Sequence, residues 1–307
     1  MRAISLFFLQ RYFETLEGKR TKKESHFIEI LYIINRHSRQ TLWTAAPGYR
    51  LRNVTLSERL TNISSYAFFN CNAFTSIIIP ASVTNIGNSA FAACSNVTSI
   101  IVAEGNTIYD TRNNCNAIIE TATNKLISGC RNTVIPEGVT VIGEHAFYYC
   151  TKLATITIPE QVTTIEASAF RSCTALTAIN IPAGVTSIGA YAFEECTSLT
   201  SVTVNAETPI TITSDVFSNR ANATLYVPYG TKSQYRTTAD WSSFSNIVEM
   251  SNPYDVNNDG STDISDVVSL VNFILDSSTT DDSYDVNGDG KVDISDVVKL
   301  VNMILGQ

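Results

Sequence analysis

Five stretches of this sequence repeat one pattern at a fixed step, and that period limits the fold more than any other feature. The copies begin at Leu60, Val83, Val139, Val162 and Val185. The step from each start to the next is constant except between Val83 and Val139, where one repeat is followed by an insertion. Two neighbours read VTTIEASAFRSCTALTAINIPAG (162–184) and VTSIGAYAFEECTSLTSVTV (185–204). A unit of this size cannot bury its apolar side alone, so the copies must stack, each against the next.

Within a copy the apolar spacing changes. Leu153, Ile156 and Ile158 end in period-2 alternation, which predicts a short strand with one buried face. The pair Ala169–Phe170 falls between two such strands and is expected to make a helical turn that drops Phe170 into the core. Pro80, Pro159 and Pro182 come just after the strand, where a missing N–H costs no ladder bond. The alternation turns Ile78, Ile101, Thr157, Asn180 and Thr203 outward, flanked by Ser76, Ser99, Thr155, Ala178 and Ser201. This face is polar and uncharged, with two isoleucines at one end. It reads either as a contact surface for protein or glycan, or as an ordinary solvated sheet. Cys71, Cys94, Cys150, Cys173 and Cys196 hold one position in each copy and read as a ladder of small buried side chains. Cys115 and Cys130 lie in the insertion, where they either pair or stay reduced. Seven cysteines cannot all pair, and no CxxC or Cys/His metal spacing occurs.

The pattern I-x-x-x-A-F-x-x-C-x-x-L-T-x-I-x-I-P resembles the BspA-like leucine-rich repeats of bacterial surface proteins, over residues 54–249. The resemblance implies a leucine-rich-repeat solenoid of short parallel β-strands joined by turns or short helices. It implies an irregular hairpin in the insertion 103–135 and a C-terminal cap over 206–249. It also implies adhesion as a class of function, with a protein ligand on the sheet face.

The end of the chain, 250–307, holds a second duplication. DVNNDGSTDISD (255–266) returns as DVNGDGKVDISD (285–296). Calcium, a hard cation, takes six to eight oxygens at fixed offsets along a flexible loop. Asp255, Asn257 and Asp259 sit at loop positions 1, 3 and 5, and Gly260 at position 6, where the chain must turn sharply. Ser261 offers its carbonyl at position 7, Asp263 acts at position 9 directly or through water, and Asp266 closes the shell at position 12. Asp285, Asn287, Asp289, Lys291 (by its carbonyl), Asp293 and Asp296 repeat the set, so two Ca²⁺ ions are expected. A helix follows each loop, with Val267, Leu270, Val271 and Ile274 on one face, and Val297, Leu300, Val301 and Ile304 on its counterpart.

One loop and one helix, duplicated, resembles a type I dockerin, a small all-α domain, over residues 253–306. That resemblance implies a cohesin-like docking partner reached in two orientations. Family recognition uses a Ser-Thr-like pair at loop positions 10 and 11, but this chain has Ile264–Ser265 and Ile294–Ser295 there. The two isoleucines read either as an apolar contact for a different partner class or as part of the small core.

Charge is distributed in blocks: residues 1–60 carry a net +6, and residues 251–307 a net −9. The acidic tail argues against nucleic acid as a partner. Residues 1–53 form a basic extension, read as an unusual leader, as the product of a misassigned start, or as the start of a chain that stays inside the cell. Its longest apolar run, FIEILYII (27–34), is too short to span a bilayer, so no transmembrane segment is expected. No GxSxG, Walker loop or HExxH occurs. His145 reads as a bland surface residue in a variable repeat slot. The expectation is therefore a non-enzymatic extracellular or cell-surface binding protein, adhesin-like, whose tail docks in a calcium-dependent way. The alternative is an accessory or scaffold subunit of an extracellular polysaccharide-degrading complex. Such a subunit would use exposed aromatics to bind glycan, and the sheet face carries none.

Overall fold

The structure, a computed structural model, describes residues 54–276 and 281–306 together with the backbone of Thr41–Leu42. The rest of the basic extension lies outside the described residues. Residues 54–249 wind into a parallel β-solenoid, and the whole coil has about eight turns.

Each repeat contributes to two ladders. A short one runs through Asn62–Ile63 and Asn85–Ile86, paired in parallel with Thr41–Leu42, and resumes at Val141–Ile142, Thr164–Ile165 and Ser187–Ile188. A longer one pairs Ser76–Ile79 with Ser99–Val102. It resumes at Ala178–Ile181 and continues through Ser201–Val204, Thr224–Val227 and Asn246–Glu249. In both ladders a residue pairs with its equivalent one repeat on, as Asn180 does with Thr203.

The insertion explains the interruption. Its strands Tyr109–Asp110, Ile118–Glu120 and Lys125–Ser128 form an antiparallel meander, and Lys125–Ser128 joins the short ladder beside Val141–Ile142. Nothing extends the long ladder at that level. The expected strand at Leu153–Ile158 is therefore not paired, although Leu153 and Ile158 are still buried. The middle strand of the meander is buried on both faces: Ile118 belongs to the core beneath the first two repeats, Ile119 to the core beneath the rest.

The Ala-Phe segment is not a helical turn. In the first repeat, the N–H groups of Ala67, Phe69 and Cys71 donate back three positions, closing successive tight turns. The alternate donors on Tyr66, Phe68 and Asn70 reach the Asn88, Ala90 and Ala92 carbonyls of the next repeat at 3.1, 2.7 and 3.0 Å. A helix would use all of these donors within itself, whereas stacking needs half of them aimed along the solenoid axis. The arrangement puts two residues per repeat in the left-handed region, at φ 54–62°: Tyr66 and Asn70, then Ser89 and Ala93, His145 and Tyr149, Ser168 and Ser172, Tyr191 and Glu195.

These turns do drop Phe into the core. Phe147, Phe170, Phe193 and Phe217 stack face to face at 5.0, 5.3 and 5.1 Å, and Phe68 stacks on Phe91 at 5.2 Å. Phe217 lies in the segment expected to be only a cap. Residues 206–249 in fact add another coil, with Val216–Phe217 in the Ala-Phe position and Thr224–Val227 as its strand. Closure comes afterwards, from the short helix Lys232–Thr237 and the buried Tyr235, Trp241 and Phe244. Tyr235 donates its hydroxyl to the Ala206 carbonyl and Trp241 its indole N–H to Ile210, both at 2.7 Å.

All seven cysteines are buried free thiols, and Cys115 and Cys130 are not paired. The repeat thiols form a ladder of their own: Cys94, Cys173 and Cys196 donate to the carbonyls of Phe68, Phe147 and Phe170 in the preceding repeat.

The tail folds around two helices, Ile264–Leu275 and Ile294–Ile304. Its core is small: Val256, Leu270, Val286 and Leu300, with partly buried neighbours including Val267, Ile274, Val297 and Ile304. Phe273 stacks on Tyr284 at 3.9 Å. Among the described residues no helix is long and apolar enough to cross a membrane.

Candidate functional site

The two acidic dodecamers fold as near-copies. Gly260 and Gly290 take φ of +89° and +83° at position 6, a backbone that side-chain-bearing residues rarely adopt. Each loop closes on its own acidic side chains. The Asp255 carboxylate accepts from the N–H groups of Asp259 and Gly260 at 3.1 and 3.0 Å. Asn257 Oδ1 accepts from Asp259 N–H at 2.9 Å, and Asp259 Oδ1 from Ser261 N–H at 2.9 Å. The second loop repeats these bonds through Asp285, Asn287 and Asp289, with Lys291 in the place of Ser261.

Position 12 carries the deepest charge. Asp266 and Asp296 are 0% exposed. Asp266 accepts from Asn257 N–H at 3.1 Å and Asp263 N–H at 2.8 Å, and Asp296 from Asn287 and Asp293 at 3.0 and 2.8 Å. These bonds tie each loop to the start of its helix, where Asp263 and Asp293 form reciprocal capping boxes with Asp266 and Asp296. The hydroxyl and N–H of Ser265 hold the Asp263 carboxyl below the usual carboxylate range, and Ser295 does the same for Asp293.

Among the described residues no three His, Cys, Asp or Glu side chains are gathered as a ready-made metal cluster, because the loop carboxylates point at backbone N–H groups. The donor set nevertheless fits calcium. It is all oxygen, at the six offsets a calcium loop uses. Two carboxylates are fully buried, and among the described ion pairs none gives them a cationic partner. Buried charge is costly unless paired or coordinated to a metal, and a divalent cation would supply that compensation.

The docking candidates separate. Ile264 and Ile294 are 69% and 70% exposed, so they are not part of the small core. Ser265 and Ser295 face their loops: Ser265 Oγ donates to Asp263 Oδ1 at 2.7 Å and accepts from Asn257 Nδ2 at 2.8 Å. The sequence reading missed two further pairs. Val268 and Leu275 are exposed with Ile264, and Val298 and Leu305 with Ile294. Offsets of 4 and 11 place all three on one side of each helix, Leu305 at its C-cap, about a quarter-turn round from Val267, Leu270 and Ile274 in the first helix. Their duplication at matching positions was the available signal.

On the solenoid, Ile78, Ile101, Thr157 and Asn180 are exposed and Thr203 is half-buried, all on the outward side of the long ladder or its unpaired segment. His145 departs from expectation. It is half-buried, its Nδ1 lies 3.0 Å from Ser89 Oγ, and its ring meets Tyr148 edge-on at 4.9 Å. Burial lowers its pKa, opposed by Glu144 and assisted by Arg171. This niche lies beside the insertion, where the second and third copies meet around a cavity of about 130 Å³ lined by Ser89, Lys125, Glu144 and His145.

The family model for a BspA type leucine-rich repeat region matches residues 48–125 and 119–246 in six copies. The chain belongs to this family. A model for a dockerin type I domain matches residues 253–305. BspA-like repeats and dockerin domains are typical of extracellular or surface proteins and support a protein-binding role; both domain types are non-catalytic, and dockerin type I domains bind calcium. Among solved structures, a leucine-rich repeat protein from Eubacterium ventriosum is 24% identical, covers 65% of this chain and 61% of its own, and has a TM-score of 0.48. A leucine-rich cell surface protein from Faecalibacterium prausnitzii is 25% identical, with coverages of 69% and 57% and a TM-score of 0.45. The pneumococcal vaccine antigen PcpA is 16% identical, with coverages of 66% and 63% and a TM-score of 0.44. This BspA-type chain therefore spans about three-fifths of the length of those proteins. No curated protein matches it.

Proposed function

We propose that this chain is a two-ended extracellular binding protein. The solenoid presents its outward sheet face to a protein ligand, with Ile78 and Ile101 as the apolar end of that face and Thr157, Asn180 and Thr203 as the polar remainder. The tail, holding two Ca²⁺ ions in the loops 255–266 and 285–296, docks on a cohesin-like partner through the stripes begun by Ile264 and Ile294. The observation that carries this reading is the duplicated exposed stripe. Evolution of a soluble tail with a core this small disfavours six exposed large aliphatics, unless they are covered in use.

The test is surface-immobilised binding of the full chain to a panel of purified cohesin modules, in calcium and again in chelator. Calcium-dependent binding is expected, surviving Ile264→Asp or Ile294→Asp singly and lost when both are changed, because either half then supplies one orientation. If both changes leave binding intact, or if no cohesin binds, the docking reading fails. The free-standing adhesin reading is then favoured by the exposed isoleucines of the sheet face, and the accessory-subunit reading falls with the docking.

A further inference from the structure

The outward sheet face carries one half-buried aromatic, Tyr226 beside Thr203, whereas the edge of the solenoid where the Ala-Phe turns lie carries several. Tyr66, Phe69, Tyr149 and Tyr191 are all exposed there, Tyr66 by 50%. Their rings form a run across the repeats. Tyr66 meets Phe69 at 5.8 Å, Phe69 meets Tyr148 at 6.3 Å, and Tyr148 meets Tyr149 at 4.7 Å. Ala92 holds the equivalent position in the intervening repeat, and its small side chain lets Phe69 and Tyr148 approach over it. The next repeat supplies Arg171, whose guanidinium lies 5.2 Å from the centre of the Tyr191 ring.

The backbone under these rings is unfavourable for them. Tyr66, Tyr149 and Tyr191 have φ of 59°, 56° and 62°. Left-handed backbone suits Gly and Asn, and it costs of order 1 kcal/mol or more for a bulky residue. Asn70 shows that the solenoid accepts Asn at such a position. Three tyrosines kept in strained, solvent-facing slots contribute nothing to the core, so their use lies outside the fold.

The chemistry of the strip narrows what it touches. One pair of its charges is matched locally, Arg171 Nε lying 2.7 Å from Glu194, while Glu195 accepts from the neutral Ser172 hydroxyl at 2.5 Å and keeps its negative charge. That leaves flat rings with hydroxyl tips and a single carboxylate that disfavours anionic chains. The strip has two rings in the first copy, two in the third and one in the fifth, far fewer side chains than the roughly 20–30 a side of a standard protein interface. The turns are 5.0–5.3 Å apart by their stacked Phe rings, about the length of one pyranose unit. We infer that this aromatic edge binds an extended neutral polysaccharide, with sugar C–H faces on the rings of Tyr66, Phe69, Tyr148, Tyr149 and Tyr191 and sugar hydroxyls on the tyrosine hydroxyls and Arg171. This site is separate from the sheet face and the tail, and does not depend on the role proposed for either.

The test uses the full chain in affinity electrophoresis and calorimetry against soluble xyloglucan, galactomannan and mixed-linkage β-glucan, with heparin and polygalacturonate as anionic comparisons. At least one neutral glycan is expected to bind. The triple variant Tyr66→Asn, Tyr149→Asn, Tyr191→Asn is expected to weaken that binding roughly tenfold or more, with a Tm equal to or above the parent's because the strain is relieved. The inference is overturned by no neutral glycan binding, by binding to the anionic chains alone, or by a triple variant that binds like the parent. A triple variant with a lowered Tm also overturns it, since the rings would then be structural.

Discussion

Removing calcium should dismantle the tail and leave the solenoid standing. The tail helices hold 12 and 11 residues and the cap helix 6, so about four-fifths of the described α-helix lies in the tail. Only four hydrophobic residues are fully committed to the tail core, while each loop concentrates four carboxylates, one of them buried. Repulsion among these carboxylates opposes folding until a divalent cation offsets it. By linkage, each filled loop adds about 2.7 kcal/mol when free calcium exceeds its dissociation constant a hundredfold. Two loops then add about 5 kcal/mol, comparable to the whole stability of a small domain. Circular dichroism of the full chain at 222 nm should therefore lose most of its helical signal in excess chelator, and recover it on adding calcium, while the sheet signal persists. Calorimetry should count two ions per chain. Asp255→Asn keeps one of the two oxygens that accept separately from the Asp259 and Gly260 N–H groups and removes the charge, so it should reduce the count to one. A helical signal unchanged by chelator, or a parent that binds no calcium, would refute this reasoning.

Three further outcomes follow from the solenoid. Phe170 is fully buried between Phe147 and Phe193; Phe170→Ala should cost about 3–5 kcal/mol in denaturant unfolding, and a loss under about 1 kcal/mol would show that the stack is not continuous. Burial holds His145 below its ordinary 6.5, so the folded state takes up its proton later than the unfolded chain. Its contribution is then complete above pH 6.5 and declines as pH falls from there toward the folded pKa; His145→Asn should flatten that part of the stability profile, and an unchanged profile would count against the buried placement. Burial pushes the thiols of Cys71 up to about 11 and of Cys150 and Cys196 to about 12. Iodoacetamide at pH 8 should leave them unlabelled until denaturant is added, and mass spectrometry of the folded protein would expose any error.

The sequence alone determined the architecture because both of its duplications are regular enough to be read locally. A short apolar period held over five copies has one cooperative solution, a solenoid. An alternating Asp/Asn loop with Gly at position 6 reads as a calcium loop, because side-chain type and backbone turn are both local. The outward direction of Ile78 and Asn180 was likewise legible from period-2 alternation. Tertiary structure decided what depends on neighbours. Whether the Ala-Phe segment is helical rests on where alternate N–H groups find acceptors, and those lie in the next repeat, as the Asn88 carbonyl does for Tyr66. Pairing of Leu153–Ile158 failed because the insertion took the adjoining ladder, a contest no single repeat records. Ile264 proved exposed because the neighbouring helix covers only the face of Leu270. The aromatic edge appears only when Phe69 and Tyr148, on opposite sides of the insertion, are brought together over Ala92. Local pattern fixes the conformation of each coil, but only the stacking of coils sets which side chains share a surface.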